Sequence, residues 1–353
     1  MRGSVDRVEV ARSENLDSAR HAHGPFTGRA KRIPGILIPG IPIPGILVDP
    51  IIASPFGIHL WWYGLSYSLG FLNAFLFLRR RRVALGLSER SLFTLSLLLV
   101  VGVLAGGRGI VVNNEWAFYS AHPGLIPALW IGGLATHGLI IGGAGAVMIF
   151  CAAARRPFRP VLDALAVAAA IILGFGRIGN FIDGQILGSV TTLPWGVQFP
   201  GAEGLRHPVV LYDGLKNFLI VPVLLWTEHR GVPAGRLAAL FLFLYAFPRL
   251  FIDLLREYPL TLMGLPSGQT FNILMAITGA ALVLKSWLRP GPSPAVPGQP
   301  PAAAGWRPLA FAARLAFALT IPSDATRDVP ATYGARHPGL VHSLIYPALS
   351  TGP

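Results

Sequence analysis

Cysteine is all but absent from this sequence, with Cys151 the single one. That excludes an intrachain disulfide and any metal site built from several thiolates. Cys151 closes an apolar run just before Arg155 and Arg156, a position suited to a small buried hydrophobe. Charge is scarce as well. Only 13% of residues carry it, where soluble domains hold about a quarter, while 53% are hydrophobic and the mean hydropathy is +0.57. The chain is therefore expected to be an all-α polytopic membrane protein. The motifs of soluble nucleotide and hydrolase chemistry are missing: there is no Walker loop, no GxSxG elbow, no strand-led dinucleotide fingerprint and no metal-ligand spacing. Neither a metal nor a cofactor is expected. A net charge of +13 would suit nucleic acid, but the basic residues stand in short clusters between apolar runs. That arrangement is a membrane topology signal in contact with anionic headgroups, so the lipid bilayer and no nucleic acid is the expected partner.

Residues 1–50 form an extension that is polar to residue 32 and unlike a secretory signal peptide. It then reads IPGILIPGIPIPGILVDP, too interrupted by proline to span a membrane as a helix. Residues 51–289 hold seven apolar runs of near-spanning length, at about 58–78, 91–107, 126–151, 161–176, 208–226, 236–256 and 269–288. Residues 290–353 turn to Pro, Ala, Gly and Ser and read as a disordered tail; within it, 306–320 suits a short amphipathic helix or a surface-lying segment. Twelve basic residues (Arg79–Arg82, Arg90, Arg155, Arg156, Arg159, Arg230, Arg236, Lys285 and Arg289) flank one set of helix ends. Four (Arg108, Arg177, Arg206 and Arg256) flank the other. The positive-inside bias predicts an outer N-terminus and a cytoplasmic C-terminus.

Polar residues at a membrane boundary need partners or a ligand. The segment Gly174–Gly188 reads as a glycine-rich loop at such a boundary, holding Arg177, Asn180, Asp183 and Gln185. The Arg177 guanidinium offers a planar fork suited to phosphate, with glycines letting backbone N–H groups approach the same anion. Snorkelling to the interface is the other use of an arginine there. His137, flanked by Gly132, Gly133, Gly138, Gly142 and Gly143, is either a satisfied core residue or a base that takes a proton from a thiol or hydroxyl. Its glycines permit close approach of a helix or lipid. Tyr245, Arg249, Asp253 and Arg256 share one helical face, as a self-neutralising pair or as a lining of a pathway. His207 and Tyr212 open the fifth run; Trp61, Trp62, Tyr63 and Tyr67 suit an interfacial aromatic belt, with a tyrosine at a headgroup.

From about residue 57 to 288 the chain resembles the bacterial prolipoprotein diacylglyceryl transferases. The resemblance rests on Trp62-Tyr63-Gly64-Leu65, His137-Gly138, Gly176-Arg177-Ile178-Gly179-Asn180-Phe181-Ile182, Gly188, Phe199-Pro200-Gly201, His207-Pro208 with Leu211-Tyr212, Tyr245 with Arg249, and Gly268-Gln269, in the family's order. It implies a seven-helix enzyme of the bacterial inner membrane, active on the outer face. It implies transfer of a diacylglyceryl group from phosphatidylglycerol to the lipobox cysteine of prolipoproteins, presented on their signal peptides. Carried over, His137, Arg177, Arg249 and Tyr245 are expected at the chemistry, and Tyr63, Asn180, Asp183, Gln185, Gly188 and Asp253 at the substrate. Four positions depart from the family: Asp183 stands for Asn, Gln185 for an important Glu, Leu139 for the second glycine of His-Gly-Gly and, conservatively, Asp253 for a Glu. Those departures favour the alternative of a lipid-binding relative with impaired catalysis. A transporter is disfavoured, because the two halves of the chain show no inverted repeat.

Overall fold

The computed structural model describes residues 49–288 apart from 130–132, 185, 200–201, 258–260 and 263–264, together with positions 316, 319, 320 and 337. A small antiparallel hairpin comes first, β1 (Ile51–Ala53) pairing with β2 (Leu60–Trp61). Then follow α1 (Trp62–Arg81), α2 (Glu89–Asn114), the short α3 (Trp116–Ala121), α4 (Thr136–Ala153), α5 (Phe158–Asp183), α6 (Val209–His229) and α7 (Arg236–Leu254). A second hairpin, β3 (Thr261–Leu262) with β4 (Leu265–Pro266), leads into α8 (Ser267–Leu288). Five helices, α2 and α5 to α8, are long and apolar enough to cross a membrane; α1 is not among them, and the apolar part of α4 is shorter. The fold is that of a polytopic helical membrane protein. Large apolar side chains such as Val101, Ile141, Ile149, Leu219, Phe251 and Ile277 point outward, which suits lipid and would leave a soluble chain with an oversized greasy surface.

Two apolar clusters hold the bundle. One joins Phe75 and Leu78 of α1, Leu92 and Leu95 of α2, Phe150 and Cys151 of α4 and Val161 of α5. Cys151 is a buried hydrophobe, as its setting predicts. The other joins α5, α6 and α7 through Val167, Ala170, Ile220, Leu224, Leu237 and Ala246. Ser88 caps α2 by accepting from Ser91 N at 3.0 Å. Asp163, buried in α5, caps α7 from a distance, accepting from Gly235 N at 2.6 Å and Ala238 N at 2.8 Å.

The structure corrects the sequence reading at three places. The Gly174–Gly188 segment is not a loop throughout: α5 continues to Asp183 and ends on Gly184, whose left-handed φ of 67° terminates the helix. Helical N–H groups are spent within the helix, so the glycines there serve packing rather than anion binding. A Cβ on Gly176 would meet the Tyr67 ring at 2.3 Å, and one on Gly179 the Ser66 Oγ at 2.3 Å. Second, α4 starts at Thr136, ten residues later than hydropathy suggests. Pro123 and Pro127 interrupt the approach, and Gly133 has a φ of 89°. Arg108, read from sequence as a flanking charge, is buried and donates to the carbonyls of Leu125, Ile126, Ala128 and Gly133 at 2.8–3.2 Å. It braces the segment that delivers His137. Third, the aromatic belt is partly internal: Trp61 is buried and Tyr67 packs beside Gly176.

The Pro-rich tract before residue 49 and most of the 306–320 segment lie outside the described residues. In the tail, His337 pairs with Asp49 Oδ2 at 2.8 Å and lies 3.2 Å from Ser54 Oγ.

Candidate active site

Consecutive long helices alternate in direction, so the end of α5, the start of α6, the end of α7 and the starts of α4 and α8 share one end of the bundle. Arg177 lies six residues before the end of α5 and Arg249 five before the end of α7. At about 1.5 Å per residue, both sit roughly 8–9 Å inside that end. Asp213 and Lys216, four and seven residues into α6, fall in the same layer.

Asp213 is the hub. Only 2% of it is exposed. Its Oδ2 takes Arg177 Nε at 2.6 Å and Arg249 Nη1 at 2.5 Å, and its Oδ1 takes Lys216 Nζ at 2.7 Å. Gly214, beside it, leaves room for Arg177, whose Cβ would lie 3.0 Å from an added methyl. Arg177 Nη1 also donates to Asn180 Oδ1 at 3.1 Å, one turn along α5. Lys216 Nζ donates to Tyr245 O at 2.9 Å and stands 4.1 Å from the centre of the Tyr245 ring. Arg249 reaches Asp253 Oδ2 at 3.5 Å, Asn272 Nδ2 donates to the same oxygen at 2.9 Å, and Arg256 Nη1 holds Oδ1 at 3.4 Å. The predicted common face of Tyr245, Arg249 and Asp253 therefore exists, but Arg249's shortest ion pair is to Asp213 on α6 rather than to its own helix. Among the described side chains of this cluster, four cations face two carboxylates. An apolar bundle tolerates such an excess when an anion joins it.

His137 stacks on Phe271 of α8, with ring centroids 4.2 Å apart, and lies within electrostatic reach of Arg249 and Asp253. Tyr63 packs on Tyr67 at 4.8 Å, its backbone against Gly179. Tyr67 and Tyr245 in turn lie within electrostatic reach of Arg177. Leu139 points from the opposite side of α4 to His137 and packs over Gly107 of α2, where its Cδ2 would meet a Cβ at 2.6 Å. That family departure fills a packing gap. Asp183 is the last residue of α5, half-buried. Gln185 lies outside the described residues.

Gly188 works through the outer segment. It bridges to Arg256, and a Cβ there would strike His207 O at 2.3 Å. Ser189 N donates to Leu255 O, His207 N to Ser189 O and Glu257 N to Leu187 O, at 2.8–3.2 Å. Arg206 Nη1 ties Gly188 O and Glu257 together at 3.3 and 3.0 Å. This backbone stitching fixes the end of α7, and with it Arg249 and Asp253. His207 and Tyr212 contact each other at 3.3 Å, and Tyr212 accepts from Trp195 Nε1 at 2.7 Å.

The hub itself escaped the sequence reading. Asp213, Lys216 and Asn272 are site residues that the sequence pattern does not single out. The available signal was a carboxylate and an ammonium three residues apart within an apolar run.

A helical membrane bundle with a cationic layer just inside one end defines the class: a polytopic membrane protein with a buried charge cluster suited to an anion. Comparison with known proteins sharpens this. The model of the family described as "Prolipoprotein diacylglyceryl transferase" matches residues 50–285. The chain is 37% identical over 242 residues to the phosphatidylglycerol--prolipoprotein diacylglyceryl transferase of Bordetella parapertussis, covering 65% of this chain and 91% of that one. It is 35% identical over 242 residues to the enzyme of that name from Geobacter sulfurreducens, covering 65% and 93%. For the one from Methylobacillus flagellatus it is 36% over 248 residues, covering 66% and 94%. The chain belongs to the prolipoprotein diacylglyceryl transferase family.

Proposed function

We propose that this protein transfers the diacylglyceryl group of phosphatidylglycerol to the cysteine thiol of prolipoproteins. The sulfur attacks the glyceryl carbon that carries the phosphate. A C–S thioether bond forms, the C–O bond breaks, and its electron pair leaves on the oxygen of glycerol phosphate. The convergence of Arg177 and Arg249 on one oxygen of Asp213 carries this reading. The lipid phosphate starts with one negative charge and gains charge as the bond breaks, and fixed cations in a water-poor site stabilise that gain more than the ground state. His137 takes the thiol proton; a free thiol with a pKa near 8.5 is a poor nucleophile until it loses it. Tyr245 packs beside Lys216 and shapes the phosphate site; Tyr63 and Asn180 line its α1 and α5 walls, and Asp253 orients Arg249. Gly188 holds the outer segment over it. Purified protein with phosphatidylglycerol and a lipobox peptide should give the thioether and glycerol phosphate in equal amounts. Folded protein that binds the lipid without product would instead support the impaired relative.

Asp183 supplies the carboxylate that the family has at the Gln185 position. Asp183→Asn should then abolish transfer while Gln185→Glu preserves or raises it; a fully active Asp183→Asn protein would sink the assignment.

The seven long helices all span the bacterial inner membrane, with the cationic layer toward the outer face and the basic clusters toward the cytoplasm. The end of α8 then faces the cytoplasm, whereas the contact of His337 with Asp49, at the opposite end of the bundle, argues for the outer side at position 337. A reporter that fluoresces only in the cytoplasm should light up when fused after residue 290, and its state at residue 353 decides the side of the tail. A dark fusion at 290 would reverse the orientation.

A further inference from the structure

Lys216 has no part in the reaction as written above, yet it is one of the most buried cations in the protein, 9% exposed. Its Nζ makes three contacts in one place: Asp213 Oδ1 at 2.7 Å, Tyr245 O at 2.9 Å and the face of the Tyr245 ring at 4.1 Å. Two of these explain how it is held. Pro248 lies inside α7 and cannot donate to Leu244 O, four residues back, and Tyr245 O is the next carbonyl along the same turn. A lysine from α6 adds a donor there, and the aromatic face lowers the cost of keeping an ammonium away from water.

The third contact bears on the site. Asp213 has two oxygens and three cationic partners. Arg177 and Arg249 both crowd onto Oδ2, while Lys216 is the cation on Oδ1 among the described residues. Were Oδ1 left vacant, the carboxylate would be free to turn so that one guanidinium took both of its oxygens, the bidentate geometry in which arginine–carboxylate pairs are strongest. That arginine would then spend its fork, and most of its charge, on the protein's own carboxylate.

We propose that Lys216 is a positioning residue of the phosphate site: by holding Oδ1 of Asp213 it keeps both arginines sharing Oδ2, so that neither fork closes on the carboxylate and both keep donors for the lipid phosphate. The proposal rests on the transferase reading for its substrate, but its core, an anion site tuned by Lys216, is testable by binding alone. Lys216 keeps a cation in the layer as well, and the charge excess there favours the more highly charged glycerol phosphate end of the reaction.

The test compares wild type, Lys216→Met, Lys216→Arg and the double variant Asp213→Asn/Lys216→Met, each first checked for a cooperative thermal transition in detergent. Native mass spectrometry reads the preference for phosphatidylglycerol over diacylglycerol, and steady-state assays read kcat and KM with a lipobox peptide. Lys216→Met should lose at least about tenfold in phosphatidylglycerol preference and at least about tenfold in kcat, the size expected when a buried charge network loses one member. Lys216→Arg should keep most of both. The double variant removes the competing carboxylate with the lysine and should recover most of the lost phosphatidylglycerol preference, while kcat stays low because Asp213 also anchors Arg177. A lysine that merely bolts α6 to α7 predicts the opposite, a double variant with no better preference than Lys216→Met. That result, or a Lys216→Met protein with unchanged preference, overturns the proposal. A wild type that prefers phosphatidylglycerol but forms no thioether counts against the transferase reading alone, since the binding comparison still decides the role of Lys216.

Discussion

Replacing Arg177 by Ala should lower kcat for diacylglyceryl transfer by about 10²–10³, or about 2.7–4 kcal/mol, the cost of removing one well-placed charge-stabilising donor. The geometry explains why the loss should fall on kcat. Arg177 is anchored at both ends of its fork, by Asp213 at 2.6 Å and Asn180 at 3.1 Å, so it does not reorganise when charge grows on the phosphate. An interaction that strengthens as the C–O bond breaks appears in the rate more than in KM. Arg177→Lys keeps the charge and loses the planar fork, so one ammonium can no longer satisfy Asp213 and Asn180 together. It should retain more activity than the alanine variant yet remain well below wild type. Both are measured with phosphatidylglycerol in mixed micelles and a lipobox peptide. An Arg177→Ala enzyme within threefold of wild type would remove this residue from the chemistry.

The largest structural effect is expected at the contact of α2 with α4. A Cβ added to Gly142 would sit 1.9 Å from Gly102 O, and one on Gly138 would sit 2.2 Å from Gly106 O. Both obstacles are backbone, which no rotamer change relieves, so the helices must part by about an ångström along their length. Their association in lipid depends on close backbone packing, because burial away from water gives helices little reason to meet there. Gly142→Ala should cost about 3 kcal/mol or more, at the upper end of overpacking. For a protein of this size that lowers Tm by roughly 4–6 °C. Gly145→Ala, on the same helix with nothing within 4 Å, is the control and should melt like wild type. Activity should fall with Gly142→Ala even in the folded fraction, because α4 carries His137. Equal melting of the two variants would mean that the helices yield without cost.

Much of this was legible in one dimension. Hydropathy located the seven long helices, since a run of some twenty apolar residues has few other uses. Arg177, Asn180, Tyr245 and Arg249 stood out because charge and amide groups in such runs demand a reason. The misses share a cause. Hydropathy cannot see Pro127, Gly133 and Arg108 cooperating to delay the start of α4, because that depends on a guanidinium meeting carbonyls about 20 residues away. The glycines of α5 looked like a flexible loop because glycine serves both turns and tight packing, and only the position of Tyr67 and Ser66 on α1 tells which. Asp213 and Lys216 do not stand out in one dimension. Their partners Arg177 and Arg249 are more than thirty residues away on either side, so the hub exists only once three helices are assembled.

The depth of the cationic layer has a geometric consequence for the acceptor. Arg177 and Arg249 lie about one and a half helical turns inside their end of the bundle, so a reacting sulfur has to reach that level while its chain stays anchored in lipid. A cysteine at the tip of a long polar arm would hover above the phosphate, and one in the middle of an apolar segment would pass beneath it. The bundle thus behaves as a ruler, accepting a thiol by its height in the membrane before any side chain beside it is read.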